Sequence, residues 1–329
     1  MALQSGKAPI GASGVPAKGS GTAARPPRTA NYRKAFARDY PLWLMIAPAV
    51  AVIFIFNYVP MYGIQLAFRD FDFTKGLTGG EWRGMHYFSQ FVHSYMFADL
   101  MRNTLFISLA TIVFGFPAPI ALALILNQVK WKRAKKTLQT TVYLPHFISV
   151  VVMVGLLNVL LSPNTGIVGH LMDALGYGDV NLLASTKAFV PVYILSDVWQ
   201  HCGWNSIVYL AALSAVDPQL YDAAKMDGAS RWQTIRNVDI PALVPTIVIL
   251  FILSMGGVLA TGFEKVFLMQ NTLNLPVSEV IATYVYKIGI VSNQFSYSAA
   301  IGLFNTVINF AFLYAVNVLA RRFSNISLW

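Results

Sequence analysis

Charge is scarce in this chain. Of 329 residues only 12% are Asp, Glu, Lys or Arg, while 56% are hydrophobic. A soluble domain carries roughly 25% charged residues, so a water-facing surface along most of the chain is excluded. Cysteine is scarcer still. Cys202 stands alone, which excludes a disulfide framework and a cysteine metal cluster. No G-x-x-x-x-G-K-[ST] occurs, and Gly6-Lys7 is followed by Ala8. Any ATP this protein uses is therefore bound by another chain. His86 and His93 fall seven residues apart, but two histidines are too few for a metal site. No paired catalytic constellation is visible, which argues against an intramembrane enzyme. The first thirty residues, rich in Gly, Ala, Pro and Ser, lack the apolar core of a cleavable signal.

What fills the chain instead is long apolar runs. Six charge-poor blocks stand out: Pro41 to Phe68, Asn103 to Gln128, Leu138 to Leu161, Phe189 to Val216, Ala242 to Phe263 and Tyr297 to Ala320. Each is long enough for the ~20 residues that a spanning helix needs. A soluble amphipathic helix would show a polar face, and these blocks are apolar nearly all round. The expected fold class is an all-α polytopic membrane protein with six transmembrane helices.

Acids are the scarcer charge, and the net charge is +10. Lys7, Lys18, Arg25, Arg28, Arg33, Lys34 and Arg38 precede the first run against Asp39 alone. Lys130, Lys132, Arg133, Lys135 and Lys136 follow the second run with no acid, and Arg321 and Arg322 follow the last. Positive charge at alternate crossings is the positive-inside pattern, so both termini are expected in the cytoplasm. This explains the basicity without nucleic acid. The expected organisation is a disordered basic arm (1–39), a first spanning helix (40–68), an external loop (69–102), a five-helix core (103–320) and a cytoplasmic tail (321–329). The external connections, Arg69 to Arg102, Ser162 to Ala188 and Glu264 to Ser296, are long enough for short surface helices.

Polar residues inside the runs are the candidate pathway. Asp197 and His201 are i and i+4 and share a helix face. An ionisable group at membrane depth normally faces a cavity or a partner, although a place near the outer headgroups also accommodates Asp197. Gln200 and Asn205 lie close by. Tyr193, Trp199, Trp204 and Tyr209 offer rings for sugar stacking, but core packing or interface anchoring explains them as well. Asn305 and Asn309 form a second i, i+4 pair, suited to bonding between helices.

The stretch Tyr221 to Pro245 interrupts the apolar pattern. Asp217-Pro218 is a helix start, with Asp as N-cap and Pro at the first helical position. Asp227-Gly228 ends that helix, and Ser230 with Gln233 forms a capping box for a second, short one. Pro241 and Pro245 then mark entry to the fifth run. A helix–turn–helix too small to fold alone fits a surface that lies against another protein.

This loop resembles the EAA loop of permeases from binding-protein-dependent ABC importers. The matching residues are Asp222-Ala223-Ala224, Asp227-Gly228-Ala229, Ile235, Val238, Ile240 and Pro241. Asp222 stands where the family has Glu, and Ile235 where it has Phe. "LPHFISVVV" (144–152), "SDVWQHCGWNSIVYLAAL" (196–213), "FEKVFLMQNTLNLPVSEVIATYVYKIG" (263–289) and the ending "ARRFSNISLW" are similar to the complex-polysaccharide and oligosaccharide subgroup. The resemblance covers roughly Leu42 to Trp329.

The resemblance implies a type I importer permease of the bacterial inner membrane. It implies no cofactor on this chain, with ATP and Mg on two partner ATPases. It also implies a second, homologous permease subunit, an external solute-binding protein, and an oligo- or polysaccharide substrate, alginate among the candidates. The loop 217–241 would couple ATPase motion to alternating access through Tyr221, Asp222, Ala223, Ala224, Met226, Asp227, Gly228, Ala229, Arg231, Ile235 and Pro241. The competing reading from another class is an ion-coupled secondary transporter with Asp197 and His201 as its relay.

Overall fold

The computed structural model describes residues 32–77, 79–176, 181–259 and 262–324. The chain divides into two compact units, Met1–Pro60 and Met61–Trp329.

In the first unit the described residues form one helix, α1 (Tyr32–Ile53), continued by a π-helical turn, Phe54–Tyr58. The helix therefore begins inside the segment expected to be a disordered arm, and residues 1–31 of that arm lie outside the described residues. Pro41 and Pro48 fall within α1. Residues 40–60 are all exposed, and the apolar stretch Asp39–Phe68 is long enough to cross a membrane. A helix apolar on every side and uncovered is stable in lipid rather than in water.

The second unit opens with a 3₁₀ segment, Tyr62–Phe68, and a short helix, α2 (His86–Val92). Between them lie two isolated β-bridges, Arg69–Trp82 and Asp72–Gly76. Arg83 Nε donates to Asp70 Oδ2 at 2.7 Å, and the Tyr87 hydroxyl donates to Oδ1. These two bonds hold the Asp70 carboxyl below the usual range, Tyr87 contributing most and Arg83 next. Next come α3 (Phe97–Asn127), α4 (Lys132–Tyr143), α5 (Val150–Leu160) and α6 (Ile167–Ala174). They are followed by α7 (Phe189–Ser214), α8 (Pro218–Met226) and α9 (Arg231–Met255). The rest comprises α10 (Phe263–Met269), α11 (Leu275–Ser278), α12 (Ile281–Tyr286) and α13 (Phe295–Ser324). The three connections expected to be long enough for short helices do hold them: α2, α6, and α10 to α12. Residues 325–329, most of the expected tail, lie outside the described residues.

Among the described residues four helices are long and apolar enough to cross a membrane, or five if one bent pair counts as a single span. That pair corrects the third expected span. Leu138 to Leu161 is not one rod: Lys132–Phe147 and Val150–Leu160 meet at 98°. Pro145 sits in a 3₁₀ turn, Leu144–Phe147, after which Ile148 is extended (ψ 127°). Ser149 then caps a new helix, its Oγ accepting from Val152 N at 3.3 Å. A proline lacks the donor to continue a helix, and a serine cap starts another.

The second correction concerns the fifth run. The expected short helix after Ser230 and the expected span from Ala242 to Phe263 are one helix, α9, which ends at Met255. Pro241 and Pro245 do not break it. A π turn, Ile235–Asp239, precedes Pro241, with Ile240 N–H bonded to Ile235 O. One wide turn absorbs the missing N–H of Pro241 without ending the helix.

At 26 residues α7 is long enough to span, but Asp197, Gln200, His201 and Asn205 lower its apolarity. It tolerates them because it is the interior helix, packed against α3, α4, α9 and α11. Gly203 makes one of these crossings possible. A Cβ there would lie 1.9 Å from Val142 O and 2.5 Å from Val142 C. The core has one layer at the end of α7 near Phe189 (Ile107, Phe189, Tyr193, Ile194, Val266, Val280) and another at its opposite end (Ala123, Tyr209, Leu213, Leu243). Asn309 Oδ1 accepts from Leu259 N at 2.8 Å, and Asn305 Nδ2 lies 3.5 Å from Leu259 O. The polar pair of the last run thus holds the chain that leaves α9.

Candidate functional site

Two constellations of polar residues stand out, one in the α8–α9 connection and one on α7.

In the α8–α9 connection local sequence builds each bond. Asp217 Oδ1 accepts from Gln219 N at 2.9 Å, and Pro218 opens α8. The helix closes with Gly228 N bonded to Lys225 O (3.1 Å) and Ala229 N to Ala224 O (2.9 Å). This paired closure requires a left-handed residue, and Gly228 has φ +73°. No atom lies within 4 Å of a Cβ built on Gly228, so only backbone conformation restricts that position. Ser230 N donates to Gln233 Oε1 (2.7 Å) and Gln233 N to Ser230 Oγ (3.3 Å), completing the reciprocal cap.

A buried carboxylate ties this element to the body. Asp239 is 0% exposed. It accepts from the Tyr221 hydroxyl at 2.6 Å, Gln128 Nε2 at 2.9 Å and Asn127 Nδ2 at 3.2 Å. Burial first, and the Asp239 carboxylate next, push the Tyr221 phenol up to about 12, so it remains a donor across physiological pH. Tyr221 thus turns its hydroxyl inward and links α8, α9 and the end of α3. Asp239 was not singled out from sequence. Its signal was a lone acid ahead of Ile240-Pro241, but only the fold shows its three donors.

The rest of the α8–α9 connection faces out. Asp222 pairs with Lys225 of the same helix at 2.8 Å, both exposed. Such a pair contributes little and exchanges readily for another partner. Ala223, Met226, Asp227, Gly228 and Arg231 are exposed, and Ala224, Ala229 and Ile235 are half-buried. Pro241 is exposed beyond the π turn. Leu220, Met226 and Trp232 present uncovered apolar surface, and sequence reading passed over Leu220 and Trp232. A cleft of about 330 Å³ lies between Ala224, Asp227, Gly228, Gln233 and Asn237.

On α7 the i, i+4 pair does meet, with His201 Nδ1 3.4 Å from Asp197 Oδ1. The structure adds Lys265 of α10. Its Nζ lies 3.4 Å from Asp197 Oδ1, 3.3 Å from Tyr193 O and 5.0 Å from the Tyr193 ring centroid. Lys265 is 4% exposed. Sequence analysis missed it because it is far along the chain, and its only signal was the single lysine of "FEKVF". Trp204 stacks on His146 at 4.5 Å and 5°, and His146 approaches His201 edge-on at 5.6 Å. Gln200 has a different job. Its Nε2 donates to Ile148 O at 2.8 Å, satisfying a carbonyl that the α4–α5 bend releases. Trp199 is exposed and on the opposite side of α7 from Asp197, and Asn205 is exposed without joining the cluster.

Long apolar helices around a polar interior helix, with a rigid helix–turn–helix protruding at one end, define an integral-membrane transport component. The chain belongs to the binding-protein-dependent transport system inner membrane component family, whose model matches residues 115–325. It is 42% identical over 282 residues to the polygalacturonan/rhamnogalacturonan transport system permease protein YteP of Bacillus subtilis, covering 86% of this chain and 88% of that one. It is 38% identical to Protein LplB of Bacillus subtilis, over 89% and 92% of the two chains. Among solved structures it is similar, at 37% identity and a TM-score of 0.83, to a chain of a bacterial ABC transporter involved in the import of the acidic polysaccharide alginate. That match covers 90% of this chain and all of the other. A chain of the same kind of transporter, in complex with alginate pentasaccharide-bound periplasmic protein, matches at 36% and 0.83.

Proposed function

We propose that this chain is a membrane subunit of an ATP-driven importer of oligo- or polysaccharide, with acidic chains such as polygalacturonan or alginate as the favoured class. It works with a second permease, two ATPases that carry ATP and Mg, and an external solute-binding protein. Six spans place both ends in the cytoplasm, and the α8–α9 connection is the coupling element. The observation that carries this reading is that connection: a glycine-broken, exposed helix anchored to the body by Asp239. Closure of the ATPase pair displaces α8. Tyr221 and Asp239 pass that displacement to α9 and to the end of α3, and both pack on α7. The similarity to polygalacturonan and alginate transporters supports the substrate class. The ion-coupled alternative would need Asp197 and His201 as a free relay, and Lys265 already occupies Asp197.

Gly228→Val tests the coupling role. A β-branched residue at φ +73° costs about 1–2 kcal/mol, and 1.4 kcal/mol is about tenfold in an equilibrium. With open space around the position, the cost falls on the shape of the connection rather than on core packing. Expression and insertion should stay near wild type, while ATPase docking and sugar-stimulated hydrolysis in proteoliposomes drop about tenfold. Asp222→Lys should act in the same direction by reversing the charge of the exposed face. Unchanged assembly and hydrolysis in both variants would remove the coupling role. Topology has its own check: a reporter after Lys136 should be cytoplasmic and one after Gly176 external, and the reverse labelling would discard the orientation.

A further inference from the structure

The function proposed above leaves the basic segment 130–136 without a task. Lys130, Lys132, Arg133 and Lys136 are exposed and Lys135 is half-buried. None of them forms an ion pair among the described residues. Four of them crowd the first two turns of α4, where the helix dipole disfavours positive charge. The first turn holds no acid, and Trp131 at the N-cap makes no side-chain cap bond. So much unpaired charge of one sign, against the dipole, favours an anionic partner.

Position identifies the partner. The segment follows α3, a 31-residue apolar helix, so it emerges at headgroup depth. Trp131 is 71% exposed, and an uncovered indole beside lysines is an interfacial anchor. The α4 helix is amphipathic: Ala134, Leu138 and Val142 recur at i, i+4 and i+8, opposite Lys132 and Lys136. Its C-terminal end rests on α7 at Gly203, where Val142 O is in contact.

We propose that the first two turns of α4 sit at the membrane interface and bind anionic phospholipid headgroups through Lys132, Arg133, Lys135 and Lys136, with Trp131 as their interfacial anchor. Its lipid-bound position then bears directly on α7, the helix that carries Asp197 and His201. A basic side chain near an anionic surface contributes roughly fivefold in binding, so four together give a preference of well over tenfold. This inference stands independently of the importer assignment.

The test uses the full chain in phosphatidylcholine vesicles containing brominated phosphatidylglycerol or, in parallel, brominated phosphatidylcholine. The Trp131 contribution to emission is taken as the difference between wild type and Trp131→Phe. Brominated phosphatidylglycerol should quench it far more strongly, and added salt should weaken that preference. Replacing the four basic residues of α4 with glutamine should abolish the preference, and replacing the three lysines with arginine should retain it. Equal quenching by both lipids would overturn the proposal, as would an undiminished preference in the glutamine variant. No quenching by either lipid would also overturn it and make an acidic protein surface the occupant. The wild-type lipid and salt comparison decides the matter even if the glutamine variant fails to insert.

Discussion

Gly203→Ala should leave little folded protein in the membrane. The added methyl would sit 1.9 Å from the Val142 carbonyl oxygen and 2.5 Å from its carbon, well inside van der Waals contact. The obstacle is backbone, so no rotamer change relieves it, and α4 or α7 must move. Overpacking a tight core costs about 1–3 kcal/mol and occasionally more, and a backbone clash belongs at the top of that range. Displacing α4 also disturbs the α4–α5 bend, because the Gln200 bond to Ile148 O leaves the same face of the packed pair. The measurement is the yield and melting temperature of the detergent-purified chain. Gly228→Ala is the internal control, since open space surrounds that position. Equal yield and melting for Gly203→Ala and wild type would show that the crossing is not tight.

Lys265→Met should destabilise the protein by an amount near the lower end of ~3–5 kcal/mol, the cost of leaving one member of a buried ion pair uncompensated. Lys265 is nearly fully buried, while the Asp197 side chain retains 23% exposure, which lets water compensate part of the loss. The change also removes the Lys265 bond to Tyr193 O and the ammonium over the Tyr193 ring. It thereby loosens α10 from α7. The double variant Lys265→Met with Asp197→Asn should recover much of the melting temperature, because no buried charge is then left unpaired. Comparing transport in the two separates the roles. A double variant that melts like wild type but does not transport makes the pair part of the pathway. If Lys265→Met alone melts like wild type, the pair carries no stability and water already solvates Asp197.

The membrane class and the local joints of this protein were legible in its sequence. Composition over twenty residues decides whether a helix prefers lipid, and that needs no knowledge of neighbours. Caps and left-handed closures are equally local, so Asp217-Pro218, Asp227-Gly228 and Ser230 with Gln233 act where the sequence places them. The i, i+4 meeting of Asp197 with His201 follows from helical geometry alone. What the sequence could not determine is every contact between residues far apart in the chain. The sequence shows an acid at 239 and a lysine at 265. Only the packed helices bring three donors to Asp239 and bring Lys265 to Asp197. Whether a proline breaks a helix was likewise decided by context: Pro145 opens a bend because Gln200 of α7 takes the freed Ile148 carbonyl, while Pro241 is carried through by a π turn. Gly203 looked like any small residue in an apolar run until α4 crossed it, because close approach is a property of two helices and not of one.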